Sequence, residues 1–205
     1  MNVTIDLPQR PSLADRVARA ATEVFAPTHL TGAMPIVIGI QSAATARIGL
    51  AWGLTAALFC SVFPRSVVWL GVRRGQLTDR HVGRREQRRA PMVWGLLSVL
   101  GGLAILVGFG APRSLTALVV ATFAIGLTLT AVNLVWKISV HAAVAAGSAA
   151  VLVSVLGPPL LLLAVPVVAL IGWSRIRLRD HTPAQVVAGT GAGLVISMPI
   201  FLVLA

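Results

Sequence analysis

From residue 30 onward, long apolar blocks alternate with short polar interruptions, and none of the blocks shows strict apolar–polar alternation. The run Leu160–Gly172 is apolar throughout. Backbone inside a bilayer must satisfy its own hydrogen bonds, so only helices or a closed barrel can span it. The missing two-residue period excludes the barrel. The blocks predict spans over Leu30–Ala46, Ile48–Phe63, Met92–Gly110, Ser114–Trp136, Ala142–Leu156, Pro159–Trp173 and Ala184–Leu204. The first two read as a hairpin divided at Arg47. The expected fold is an all-α integral membrane protein, a bundle of about six to seven transmembrane helices filling residues 30–205.

Residues 1–29 follow a different pattern. Pro11-Ser12 with Asp15 has the spacing of a capping box at a helix start. Leu13, Val17, Ala20, Ala21 and Val24 then recur at helical spacing, with Asp15, Arg16, Arg19 and Glu23 elsewhere on the wheel. This predicts a short amphipathic helix lying in the interface and ending near Pro27. Its acidic residues and lack of a hydrophobic stretch argue against a signal peptide.

Composition agrees with a membrane protein. The chain has 205 residues, of which 57% are hydrophobic and 11% charged. Soluble domains carry about 25% charged residues. Lys and Arg number 17 against 6 Asp and Glu, a net charge of +11. In this class that excess holds loops at an anionic leaflet or binds an anionic substrate. With no soluble domain to carry it, nucleic-acid binding is set aside. The single cysteine, Cys60, lies in an apolar run and reads as a small buried hydrophobe.

Three polar interruptions hold the candidate chemistry. Val72–Pro91 carries Arg73, Arg74, Arg80, Arg84, Arg85, Arg88 and Arg89 with Asp79, His81 and Glu86. Lys137-Ile-Ser-Val-His141 is the second, and Gly172–Gly189, with Arg175, Arg177, Arg179, Asp180 and His181, is the third. Two spans separate each from the next, so all three must return to one membrane face. Nearly all Lys and Arg share that face, while the opposite turns show only Arg47 and Arg113. The positive-inside rule makes it cytoplasmic, in the cell membrane.

Two histidines among arginines, with few carboxylates, suit phosphoryl transfer without a metal or cofactor. Guanidinium groups hold phosphate oxygens bidentately. A neutral imidazole can attack phosphorus, and a second can protonate the leaving oxygen and then activate water.

Ser174-Arg175, five residues, then His181, trailed by Thr-Pro-Ala-Gln-Val-Val-Ala-Gly, resembles the third motif of the type 2 phosphatidic acid phosphatase superfamily. Ser139-Val140-His141 resembles the second, usually Pro-Ser-Gly-His, and the Arg-rich stretch ending at Pro91 resembles the first, usually Lys, six residues, Arg-Pro. The likeness covers Thr78–Gly193. It implies a lipid phosphatase acting on a phosphomonoester or diphosphate of a polyprenyl or glycerolipid. His181 would be the nucleophile that forms a phosphohistidine and His141 the acid–base residue. Arg175, Ser139, Ser174, Arg84, Arg88 and Arg89 would hold phosphate. Asp79, His81, Asp180 and Lys137 are candidate supporting groups.

The sequence departs from the pattern in three places. Gln185 stands where the family has the aspartate that orients the nucleophile; its carbonyl can accept the ring N–H but cannot offset imidazolium charge. Ile138 and Val140 replace proline and glycine in the second motif. Two spans separate the first two motifs, more than is usual. A catalytically weakened lipid-binding relative is therefore one alternative. An intramembrane prenyl or phosphatidyl transferase is another, disfavoured because no aspartate pair is present to hold Mg²⁺. Arg177 and Arg179 read as snorkelling interface anchors. His29 reads as an interfacial residue, Trp52 and Trp69 as packing or interface anchors, and Gly189-Thr-Gly-Ala-Gly193 as a close helix contact.

Overall fold

The computed structural model describes residues 11–79, 82 and 84–205, which are helical without any strand. Helix α1 (Leu13–Val24) opens on the expected capping box: the Asp15 N–H donates to Ser12 Oγ at 3.2 Å, and the Ser12 N–H to the Asp15 carboxylate at 3.1 Å. Its small face, Ala18, Ala21 and Thr22, is buried, leaving Leu13, Val17 and Val24 on the outside. His29 is more than an interfacial residue. Its Nδ1 lies 2.9 Å from the Glu23 carbonyl, closing the C-terminal end of α1.

Helices α2 (Pro27–Ser42) and α3 (Ala46–Ala57) form the expected hairpin. Glycines bring them together: a side chain on Gly49 would strike the Gly39 carbonyl, and one on Gly53 would come within 2.6 Å of Ile36 Cα. The second span does not stop at Phe63. A π-helical turn, Leu58–Val62, carries it into α4 (Phe63–Arg73), so the continuous stretch is Ala46–Arg73. Pro64 cannot donate to the carbonyl four residues earlier, and widening the turn carries the helix past that break. Trp69 is exposed and stacks under the Arg73 guanidinium at 4.2 Å, whereas Trp52 packs against the core.

The remaining helices are α5 (Arg89–Gly108), α6 (Arg113–Asn133), α7 (Val140–Leu156), α8 (Leu161–Arg177) and α9 (Pro183–Leu204). Five stretches are long and apolar enough to cross a membrane: Ala46–Arg73, Glu86–Gly108, Arg113–Asn133, Pro158–Arg177 and Pro183–Leu204. Helices α1 and α2, bent by 46° where they meet, add a sixth if the pair is counted as one span, and the apolar α7 is shorter at 17 residues. The burial pattern suits a bilayer. Large side chains such as Leu162, Val195 and Val203 face outward, while Ala142, Ala143, Ala145 and Ala146 are buried where α7 meets α9. Lipid is as apolar as leucine, so close backbone approach, not hydrophobic burial, holds such helices together. Gly193 packs directly on the Ala143 carbonyl and Gly189 on that of Ser139. The Gly189–Gly193 run is thus the close contact its composition predicts.

Candidate functional site

Helix α8 ends on a Schellman motif: the Asp180 N–H bonds the Arg175 carbonyl at 3.0 Å and the Arg179 N–H that of Ile176 at 2.9 Å. The left-handed residue of this motif is normally glycine, and here it is Arg179 at φ 57°. The reversal folds the chain back so that the His181 N–H also meets the Arg175 carbonyl, at 3.2 Å. Arg175 and His181, six residues apart, are thereby held at one corner.

Helix α9 begins there. Thr182 caps it, with the Gln185 N–H on Thr182 Oγ1 at 3.3 Å and the Thr182 N–H on Gln185 Oε1 at 3.2 Å. That second bond fixes the amide, because a backbone N–H can be met only by the oxygen. The same Oε1 lies 3.1 Å from His181 Nδ1 and therefore accepts its proton. This leaves the His181 Nε2 lone pair bare. Burial comes first among the causes that push the His181 imidazole down to about 4; Arg175, Arg88 and Lys137 act in the same direction, against the Gln185 bond. The ring is neutral at physiological pH.

Ser139 caps α7, its hydroxyl accepting from the Ala142 N–H at 3.4 Å, and its own N–H donates to the Gln185 carbonyl at 3.3 Å. This bond docks the segment carrying Lys137, Ser139 and His141 onto the one carrying His181. Helices α7 and α9 both start at the site, so two positive helix ends face it. Burial lowers the Lys137 ammonium, with Arg88 and Arg175 adding to the effect.

The arginines are sorted by burial. Arg88 is buried, with its Nε on the Val82 carbonyl at 2.8 Å and its Nη1 without a partner among the described residues. Arg84 and Arg89 are exposed. Val82 is at φ 47°, a strained setting for a β-branched residue. Asp79 lies within electrostatic reach of Arg88 and Lys137. His81 lies outside the described residues.

Arg175 is 5% exposed and bound on two sides: Nη2 to Asp180 at 2.9 Å and Nη1 to Thr22 Oγ1 at 3.3 Å. Its Nε is buried without a partner among the described residues. Asp180 therefore steadies Arg175 instead of standing in for an aspartate at Gln185. Ser174, expected on phosphate, donates to the Ile171 carbonyl at 2.7 Å and meets Thr22 Oγ1 at 3.2 Å. Because the single Ser174 hydroxyl proton goes to the Ile171 carbonyl, the direction is set: Arg175 to Thr22, Thr22 to Ser174, Ser174 to Ile171. Ser174 is part of the wall.

Thr22 is the residue that sequence reasoning missed. It stands on a helix read as interfacial, and nothing in its spacing ties it to Arg175. Arg177 also changes role. Rather than snorkelling, it clamps α1, with Nε on Asp15 at 2.9 Å and Nη2 on Ser12 at 3.3 Å. Arg179 is exposed as an anchor would be, and also supplies the turn.

No family model, curated protein or solved structure matches the chain. Among the described residues no three His, Cys, Asp or Glu side chains gather where they could hold a metal ion. The residues themselves offer two buried guanidinium groups with open N–H donors, an ammonium, two helix N-termini and a neutral imidazole with a bare nitrogen. A buried charged donor left unpartnered costs about 1–3 kcal/mol or more. An anion with several oxygens would relieve both arginines at once.

Proposed function

We propose that the chain is a membrane lipid phosphatase that hydrolyses a phosphomonoester or diphosphate through a phosphohistidine on His181. The observation that carries this reading is an unprotonated His181 Nε2 in the same buried corner as Arg88 and Arg175, whose open N–H groups have no partner among the described residues. It agrees with the resemblance to the type 2 phosphatidic acid phosphatase superfamily.

In this mechanism Arg88, Arg175, Lys137 and the α7 N-terminus hold the non-bridging oxygens and offset charge in the transition state. Nε2 of His181 attacks the terminal phosphorus as its bond to the leaving oxygen breaks, the lipid oxygen of a monoester or the bridging oxygen of a diphosphate. His141 gives that oxygen its proton, and the lipid alcohol or the lipid monophosphate leaves. His141, now neutral, takes a proton from water, which attacks the phosphohistidine. Inorganic phosphate is released and His181 returns to its starting form. Gln185 holds the ring through Nδ1 throughout. As an amide it leaves the phosphorylated, positively charged imidazole less stabilised than a carboxylate would, which makes for a slower first step. We place the protein in the cell membrane with this face toward the cytoplasm, on the positive-inside rule.

The test is phosphate release by detergent-purified protein from a panel of lipid phosphates, with EDTA present. Release that persists in EDTA and is abolished by His181→Ala and by His141→Ala is expected. Equal release by wild type and His181→Ala would overturn the mechanism.

A further inference from the structure

Beneath the site lies a cavity of about 220 Å³, mainly among α2, α5, α6 and α7, with Cys60 of the π turn, Pro64 of α4 and Ser197 of α9 completing its wall. Its upper wall includes Val140, the residue between Ser139 and His141, and Met92, one turn beyond Arg88. Its lower wall includes Met34, Leu118 and Val151. From Val140 to Val151 along α7 the depth is roughly 16 Å at the usual helical rise.

Thr28, Ser148 and Ser197 bring hydroxyls to a lining that is mostly apolar. Thr31, Thr122 and Thr130 each donate to the carbonyl four residues earlier in their own helix, at 2.8, 2.9 and 2.7 Å. Their hydroxyls are spent on backbone, so methyl groups remain to face the space. A cavity of this kind gives water too few partners. One of about 150 Å³ with apolar walls stays dry and takes up benzene. Spread over that depth, the volume is a passage wide enough for one hydrocarbon chain and too narrow for two side by side.

We infer that this cavity binds the single alkyl or prenyl chain of the substrate, so that the site takes one-chain lipid phosphates in preference to diacyl ones. This rests on the phosphatase reading above. The chain enters past Val140 with its phosphate at His181 and its far end near Val151. A two-chain lipid leaves its second tail outside the bore, crowding α5 and α6 at the mouth.

The probe is an alkyl phosphonate of about twelve carbons, cut to the depth of the cavity, with a diazirine on its terminal carbon. It is irradiated with the full-length protein in detergent and the adducts are located by peptide mapping. Expected are adducts on Met34, Cys60 or Val151, reduced about tenfold when Gly95→Leu or Ala121→Leu fills the bore. Gly95 is suited to this because an added Cβ there meets only Pro64, at 3.9 Å. Excess monoalkyl phosphate is expected to compete and diacyl phosphatidate to compete about tenfold less well. Adducts confined to outward residues such as Leu162 and Val195, or unchanged in both variants, would overturn the tail site. Equal competition by the diacyl lipid would overturn the one-chain preference. Cavity adducts without phosphate release from any lipid would remove the phosphatase reading and leave the tail site standing.

Discussion

At the scale of single residues, His181 and Gln185 set the chemistry. The His181 imidazole lies near 4 in the folded protein against an ordinary value near 6.5, so the unfolded chain binds more protons between those values. Its contribution to stability is complete above about 6.5 and is lost as pH falls toward 4. An NMR titration of the His181 ring is expected to show a midpoint near 4 and a neutral ring at pH 6; a midpoint at 6.5 would contradict the buried, cation-flanked setting. Gln185→Glu keeps the capping box and puts a carboxylate on Nδ1, so the midpoint is expected to rise. Arg179→Gly is expected to raise stability by up to about 1 kcal/mol, seen as a higher melting temperature, by removing a Cβ from a left-handed position. Little of this was legible beforehand. The sequence offers Arg84, Arg88 and Arg89 alike as phosphate ligands before Pro91, but only packing buries Arg88 and leaves Arg84 and Arg89 outside. A left-handed turn is normally announced by glycine, and Arg179 gives no such signal.

Among the helices, α1 and the α7–α9 pair position the site. Thr22→Val breaks the relay from Arg175 to Ser174 while keeping shape, and is expected to cost about 1–3 kcal/mol because a buried charged donor loses its acceptor. The loss should appear as weaker competition by monoalkyl phosphate against the photoreactive alkyl phosphonate, with α1 still folded by circular dichroism. Gly193→Ala is expected to destabilise by about 1–3 kcal/mol, since its Cβ has no room beside the Ala143 carbonyl. Gly191→Ala, with nothing within 4 Å, is the control and is expected to gain about 0.5–1 kcal/mol. Melting curves in one detergent compare the pair. The capping box at Ser12 and the glycine contact were readable because each is a local pattern with a fixed spacing; the box at Thr182, of the same spacing, is a finding of the structure. The passage of the helix through Pro64 was not, because proline ordinarily marks an end and only the neighbouring helices sustain the π turn.

For the whole molecule, the convergence of three distant segments followed from counting spans, since parity alone returns each interruption to one face. The Ser139–Gln185 bond and the shared electrostatics of Arg88, Lys137, Arg175 and His181 bear that out. The internal cavity was invisible in the sequence because it is a gap between four helices, not a property of any one. Orientation is tested by Gln76→Cys, an exposed position beside the Arg-rich segment; labelling only from the cytoplasmic side is expected, and labelling from outside would reverse the topology. The central claim is that phosphate passes through His181. It is tested most directly by quenching a turnover of labelled lipid phosphate and mapping the bound phosphoryl group. The expected adduct is on His181 at Nε2, because Gln185 occupies Nδ1. A phosphoryl group found on another residue, or none trapped while phosphate is steadily released, would contradict it.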